Sequence, residues 1–245
     1  MPNEHTTEAI SAARFNTTHW SVVLNAKDGG TPDAGAALEE LCRTYWAPLY
    51  AYLRRHGSSP ADAQDLVQGF FASLLERDGF AVVERERGKF RSFMLASLKH
   101  FTSNERERTQ AQKRGGRYSF VPLDEAQAEE NFLAARDLPP DEVFARSWAL
   151  AVIGQAIYLL REEYAGPERA VVFAALEPFL SSDRVTRPYA ELAAQLGLSE
   201  SGVKMAVQRM RRRFGELLRG EIARTVGSAA EVDEEIRALF AALRQ

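Results

Sequence analysis

Apolar residues in this chain recur at every third or fourth position through nearly every ordered stretch, and no convincing run of alternating β-branched residues appears. That periodicity is the signature of amphipathic helices, not of half-buried strands, and it predicts an all-α protein. Leu38, Leu41, Cys42, Tyr45, Trp46, Leu49 and Leu53 follow it, with Pro48 expected to kink or divide the helix because it has no N–H to donate. A second helix restarts at "SPADAQDLVQGFFASLL". Ser59 suits its N-cap, Pro60 its first position and Asp62 its free amides; Leu66, Phe70 and Leu74 make its apolar stripe, with Phe71 at the margin. A third helix is expected from about Arg91 to Gln112, and others over 140–164, 167–180 and 230–243, with a short one near Trp20 to Leu24. The stretch "VPLDEAQAEENFLAARDLPP" is expected to be a linker with little power to form a core.

At 245 residues and 45% apolar content the chain can bury one large core or two small ones. Its net charge of −3 argues against a surface that is basic throughout. The distribution is more informative. Residues Arg85 to Arg117 hold ten Lys/Arg and three Glu, and Lys204 to Arg224 hold seven Lys/Arg and two Glu. Between them, Tyr118 to Glu142 contains seven acids and only Arg136. Two basic blocks on either side of an acidic one suggest two anion-facing surfaces on a tether. Cys42 is the only cysteine, which excludes an intrachain disulfide and fits a reducing cytoplasm. The first fifteen residues lack the apolar core of a secretion signal, and the run Trp148 to Leu160 is short for a bilayer span. The expectation is a cytoplasmic protein with no membrane partner.

The second basic block carries the sharpest motif. With Tyr189 as the first position of a helix-turn-helix, Leu192, Leu196, Leu198, Val203 and Ala206 take the contact positions, Ala193 the small one, and Gly197 the turn. Gly suits that turn because the chain must reverse through a positive φ. Ser199 then caps the second helix. Val203, Val207, Met210 and Phe214 face inward; Glu200, Ser201, Lys204, Gln208, Arg211 and Arg212 face outward. The early outward residues would meet base edges and the later arginines phosphates. A membrane-surface helix would carry bulkier Trp, Phe or Leu on its apolar side.

The first basic block mixes Phe90, Phe93 and Phe101 with Lys89, Arg91, Lys99, Arg106, Arg108, Lys113 and Arg114. Aromatic faces beside cations suit unpaired bases, although Phe93 and Phe101 fit a helical core better. In its vicinity the chain resembles the extracytoplasmic-function group of bacterial sigma-70 factors. "PADAQDLVQGFFASLL" is similar to that family's region 2.2 through Asp62, Ala63, Asp65, Leu66, Val67, Gln68 and Phe70. "FRSFMLASLKHFTSNERER" is similar to regions 2.3 and 2.4 through Phe90, Arg91, Met94, Lys99 and Arg108, and the recognition helix of region 4.2 is matched by Val203, Lys204, Arg209 and Arg211. His100, Asn104, Phe93, Glu107 and Ala206 depart from the family pattern, so no base preference transfers.

The resemblance implies a protein that binds core RNA polymerase, through the β′ clamp helices and the β flap, and directs it to promoter DNA. It implies polymerase contacts at Asp65, Gln68 and an exposed Phe71. Contacts to the melted −10 strand would come from Lys89, Arg91, Lys99, His100, Asn104, Arg106, Arg108, Lys113 and Arg114. Contacts to the −35 duplex would come from Ser199, Glu200, Ser201, Lys204, Gln208, Arg209, Arg211 and Arg212. For Asp62, stabilisation of the helix N-terminus accounts better for the residue than polymerase contact, and the acidic linker would follow the polymerase's RNA path. The expected organisation is an arm over 1–34, a region 2-like helical domain over 35–117, the acidic linker over 118–139, a region 4-like helix-turn-helix domain over 140–228 and a C-terminal helix over 229–245. That last helix would pack on region 4 or dock a regulator such as an anti-sigma protein. Neither catalysis, a metal nor a cofactor is expected, since the four histidines lack ligand spacing and "GKF" lacks the glycine of a phosphate loop. The alternative reading is a stand-alone helix-turn-helix regulator of duplex DNA.

Overall fold

The computed structural model describes residues 32–76, 89–109, 125–181 and 188–244. The expected short helix near Trp20 lies outside them, as do Lys113, Arg114 and the side chains of Arg106 and Arg108. Among the described residues the secondary structure is entirely helical, as the periodicity requires. The helices are α1 (Pro32–Arg55), α2 (Pro60–Glu76), α3 (Phe90–Thr109), α4 (Glu125–Ala134), α5 (Pro140–Glu163), α6 (Pro167–Leu176), α7 (Pro178–Ser181), α8 (Tyr189–Leu196), α9 (Glu200–Ala223) and α10 (Ala229–Leu243). The described residues fall into two compact units, one within 1–151 together with 222–244 and one within 152–221. The units therefore do not divide at 139/140 and 228/229.

In the first unit α1 packs against α2, α3 and α4. Tyr45, Leu49, Tyr50, Ala51 and Leu53 are all buried, so α1 is apolar on more than one side, as a helix with several neighbours must be. The helix α1 continues through the buried Pro48, so of the expected kink or division the division does not occur. The start of α2 follows expectation. Ser59 Oγ accepts the Asp62 N–H at 3.1 Å and donates to Asp62 Oδ2 at 2.7 Å, which satisfies a free amide of the first turn.

The expected linker is instead part of this core. Ala128, Phe132 and Ala135 are buried, and Phe132 clusters with Ala51 and Val143. Glu129 accepts hydrogen bonds from Arg54 Nε at 2.9 Å, from Arg54 Nη2 at 2.7 Å and from the Tyr50 hydroxyl. A narrow apolar stripe at i, i+4 and i+7 was enough to dock a helix whose outer face is acidic. The Arg54 guanidinium holds the Glu129 carboxyl below its usual range, against the opposing effect of burial.

The C-terminal helix belongs to the same unit, which corrects its expected packing on the helix-turn-helix domain. Ser228 caps it, its Oγ accepting the Glu231 N–H, and its buried residues are Val232, Glu235, Leu239 and Ala242, with Phe240 exposed. A carboxylate in mid-stripe, 1% exposed, requires partners. Glu235 finds them in Arg91, whose Nε and Nη2 donate at 2.7 and 3.1 Å, and in Lys89, whose Nζ lies at 2.8 Å. The Phe90 N–H donates to the Thr225 carbonyl at 3.2 Å, and Arg146 donates to the Leu243 carbonyl.

Among the described residues, α5 is the one helix long and apolar enough to cross a membrane, longer than its 148–160 run suggested. Val143, Phe144, Trp148, Ala149, Val152, Ala156 and Leu160 along it are buried, which is also how the core helix of a helical protein reads.

Candidate nucleic-acid interface

The second unit is built around a core of Leu160, Phe173, Leu176, Phe179, Leu192, Val203, Val207 and Met210. The helix-turn-helix forms at the expected residues. Gly197 ends α8 with φ 65°, and its N–H donates to the Ala193 carbonyl. The Leu198 N–H shares that carbonyl at 2.9 Å. This left-handed residue is what lets the chain reverse at once into α9. Ser199 Oγ accepts the Gly202 N–H at 3.1 Å and so caps the second helix. Leu192 and Ala193 on α8 are buried with Val203 and Val207 on α9, while Leu196 and Ala206 are half-buried. Leu198, expected at a contact position, is 45% exposed.

All eight predicted duplex-facing residues of this unit, from Ser199 to Arg212, are exposed. Their surroundings differ. Lys204 lies over the Tyr189 ring, with Nζ 5.8 Å from the centroid, and Arg211 Nε donates to the Phe179 carbonyl at 2.9 Å. Both sit on the flank of α9 next to its packed side, and Arg211 has a structural duty as well as a charge. Arg212 pairs with Glu216 across one turn at 3.0 Å, a contact that water largely screens. Gln208 and Arg209 have no hydrogen-bond or ion-pair partner among the described residues. Arg213, absent from the predicted set, forms a fork with Glu163 and also meets Glu216. The fork lowers the Glu163 carboxyl below its usual range and raises the Arg213 guanidinium further above its own.

One further exposed residue of α9 lies outside the predicted set. Val203, Val207 and Met210 define the packed side of α9, and at 100° per residue the opposite side runs through Ser201, Met205, Gln208 and Arg212. Met205 is 54% exposed at the centre of that face. Its register places it outside.

The first basic block fares differently. Lys89 and Arg91, expected on the −10 strand, are held by Glu235, and Arg91 also covers the Trp148 ring at 4.8 Å. Lys99 pairs with Asp141 at 2.8 Å and lies over the Tyr52 ring; Asp141 raises the Lys99 ammonium above its usual range. His100 and Asn104 are exposed. The aromatics pack inward: Phe90 meets Tyr45 edge-on at 5.2 Å, and Phe101 meets Phe70 at 5.8 Å. On α2, Asp65 is exposed and Gln68 half-buried, but Phe71 is 1% exposed and is no surface contact. Ala63, Val67, Phe70 and Leu74 are buried with it, so the apolar side of α2 is wider than one stripe.

No family model, curated protein or solved structure matches the chain.

Proposed function

We propose that the protein is a sigma factor, which binds core RNA polymerase and directs it to promoters. The observation that carries this reading is the helix-turn-helix of α8 and α9. Gly197 sets its turn and Ser199 its cap, and α9 exposes Ser201, Gln208 and Arg209 away from the packed side with Lys204 on the flank. A rigid helix with polar and cationic groups on its free face suits the major groove, where early residues meet bases and cations meet phosphates. A separate helical unit in which α2 offers Asp65 and Gln68 at the surface agrees with a polymerase-binding role. In that role Lys99, His100 and Asn104 remain as strand contacts, while Lys89 and Arg91 support the fold through Glu235.

One observation favours the second reading, a regulator that binds duplex DNA by itself. The cations at the start of α3 are neutralised internally, which removes part of the surface a melted strand would need. Size-exclusion chromatography of the full chain with core RNA polymerase separates the two. Co-elution and promoter-specific initiation are expected of a sigma factor. Tight binding to duplex DNA with no association to polymerase would replace that reading with the regulator.

A further inference from the structure

The face of α9 opposite its core is not uniformly cationic. Its flank beside α8 carries Lys204, over the Tyr189 ring, and Arg211, tied to the Phe179 carbonyl. Its centre carries Ser201, Met205 and Gln208 within two turns, with Arg209 beside them and Arg212 farther along the same line. Met205 is 54% exposed there and is the one large apolar side chain on an otherwise polar surface. The centre line of a helix in the major groove meets the floor of base edges, and the flanks meet phosphates. On that line a cationic side chain suits guanine and a carboxylate cytosine; an apolar one has a single counterpart in that groove, because only thymine presents a methyl group. The unbranched, polarizable methionine chain adapts to such a group, and Gln208 and Arg209 within a turn can bond the neighbouring bases.

We infer that Met205 is a specificity-determining residue that reads the 5-methyl group of a thymine. This rests on the reading of α8 and α9 as a duplex-DNA binder and deepens it by naming a base. Ser201 and Gln208 flank Met205 at i−4 and i+3, so the methyl lies under the middle of the recognition face and not at its end. Neighbouring bases would then be set by hydrogen bonds, and this one by a hydrophobic contact.

The test uses the full chain, alone and bound to core RNA polymerase, to select duplexes from a random-sequence pool. The best duplex is remade with uracil in place of each thymine in turn, which removes the methyl and keeps the base pair. One replacement should weaken wild-type binding about fourfold, the equivalent of about 0.8 kcal/mol for one apolar carbon group. Met205→Ala should bind the thymine duplex about fourfold more weakly and no longer distinguish uracil, while Met205→Leu should keep the distinction. Both substitutions lie at an exposed helical position, and an unchanged circular dichroism melt confirms that the fold is intact. If no thymine is sensitive in the wild type, or if Met205→Ala stays equally sensitive, the inference is overturned and duplex binding stands. If neither form enriches any sequence, the duplex-binding reading falls and the inference falls with it.

Discussion

Replacing Glu235 with Gln should unfold the first unit at markedly lower denaturant. The carboxylate is 1% exposed and joins α10 to the start of α3 through Lys89 and Arg91. Glu235→Gln removes the buried anion; Lys89 keeps Glu234 at 3.5 Å, and Arg91 loses its carboxylate partner. Breaking a buried ion pair typically costs about 3–5 kcal/mol. Here the Lys89 and Arg91 side chains keep 28% and 20% exposure, and Arg91 retains the Trp148 ring, so part of that penalty is relieved by water. The expected loss is about 2–3 kcal/mol. Urea unfolding followed by tryptophan fluorescence reads it directly, because Trp46 and Trp148 lie in the first unit and residues 152–221 contain no tryptophan. Arg91→Met completes a double-mutant cycle, in which a coupling of at least about 1 kcal/mol is expected between positions 91 and 235. A loss below about 0.5 kcal/mol for Glu235→Gln, or full additivity in the cycle, would refute the claim that this buried carboxylate fixes the C-terminal helix.

Other expectations follow from the same geometry. Glu129 titrates below its usual range because Arg54 holds it, so its contribution is complete above the ordinary glutamate value and is lost as the pH falls through its lowered one. As the pH falls below the ordinary glutamate value the wild type should therefore lose more stability than Glu129→Gln, and parallel pH profiles would contradict this. Gly197→Ala forces φ 65° on a residue with a Cβ; nothing lies within 4 Å of that Cβ, so the cost is backbone strain alone, about 1 kcal/mol in a denaturant melt. Lys204→Ala or Arg209→Ala should weaken binding to a selected duplex, whereas Arg212→Ala should mainly lower the slope of log affinity against log salt, by about one. Phe132→Ala should cost about 3–5 kcal/mol in the first unit, while a loss near zero would mean that α4 does not contribute to the core.

What the sequence revealed was what is local in the chain. The helix-turn-helix was legible because its turn glycine, its capping serine and its packing residues all fall within Tyr189 to Phe214, where spacing alone fixes faces. The Ser59 cap of α2 was legible for the same reason. The ties of Lys89 and Arg91 were not, since Glu235 lies 144 residues beyond Arg91, and no local rule distinguishes a buried glutamate from a solvated one. The helix α4 escaped because seven acids across 118–142 outweighed a stripe of only Ala128, Phe132 and Ala135. Phe71 was misplaced by the family resemblance, which described a surface where this chain has core. Met205 was in neither the inward nor the outward set, and its register against Val203, Val207 and Met210 places it on the free face.

Gln68 on α2 is the side chain through which a polymerase-binding role can be tested with least disturbance of the core, since it is half-buried beside the exposed Asp65. The decisive measurement is transcription from promoter fragments by core RNA polymerase with the full chain added. A sigma factor predicts initiation at defined start sites that depends on the protein and is reduced at least tenfold by Gln68→Ala, with the fold retained. Polymerase that neither binds the chain nor starts at defined sites in its presence would contradict the proposal.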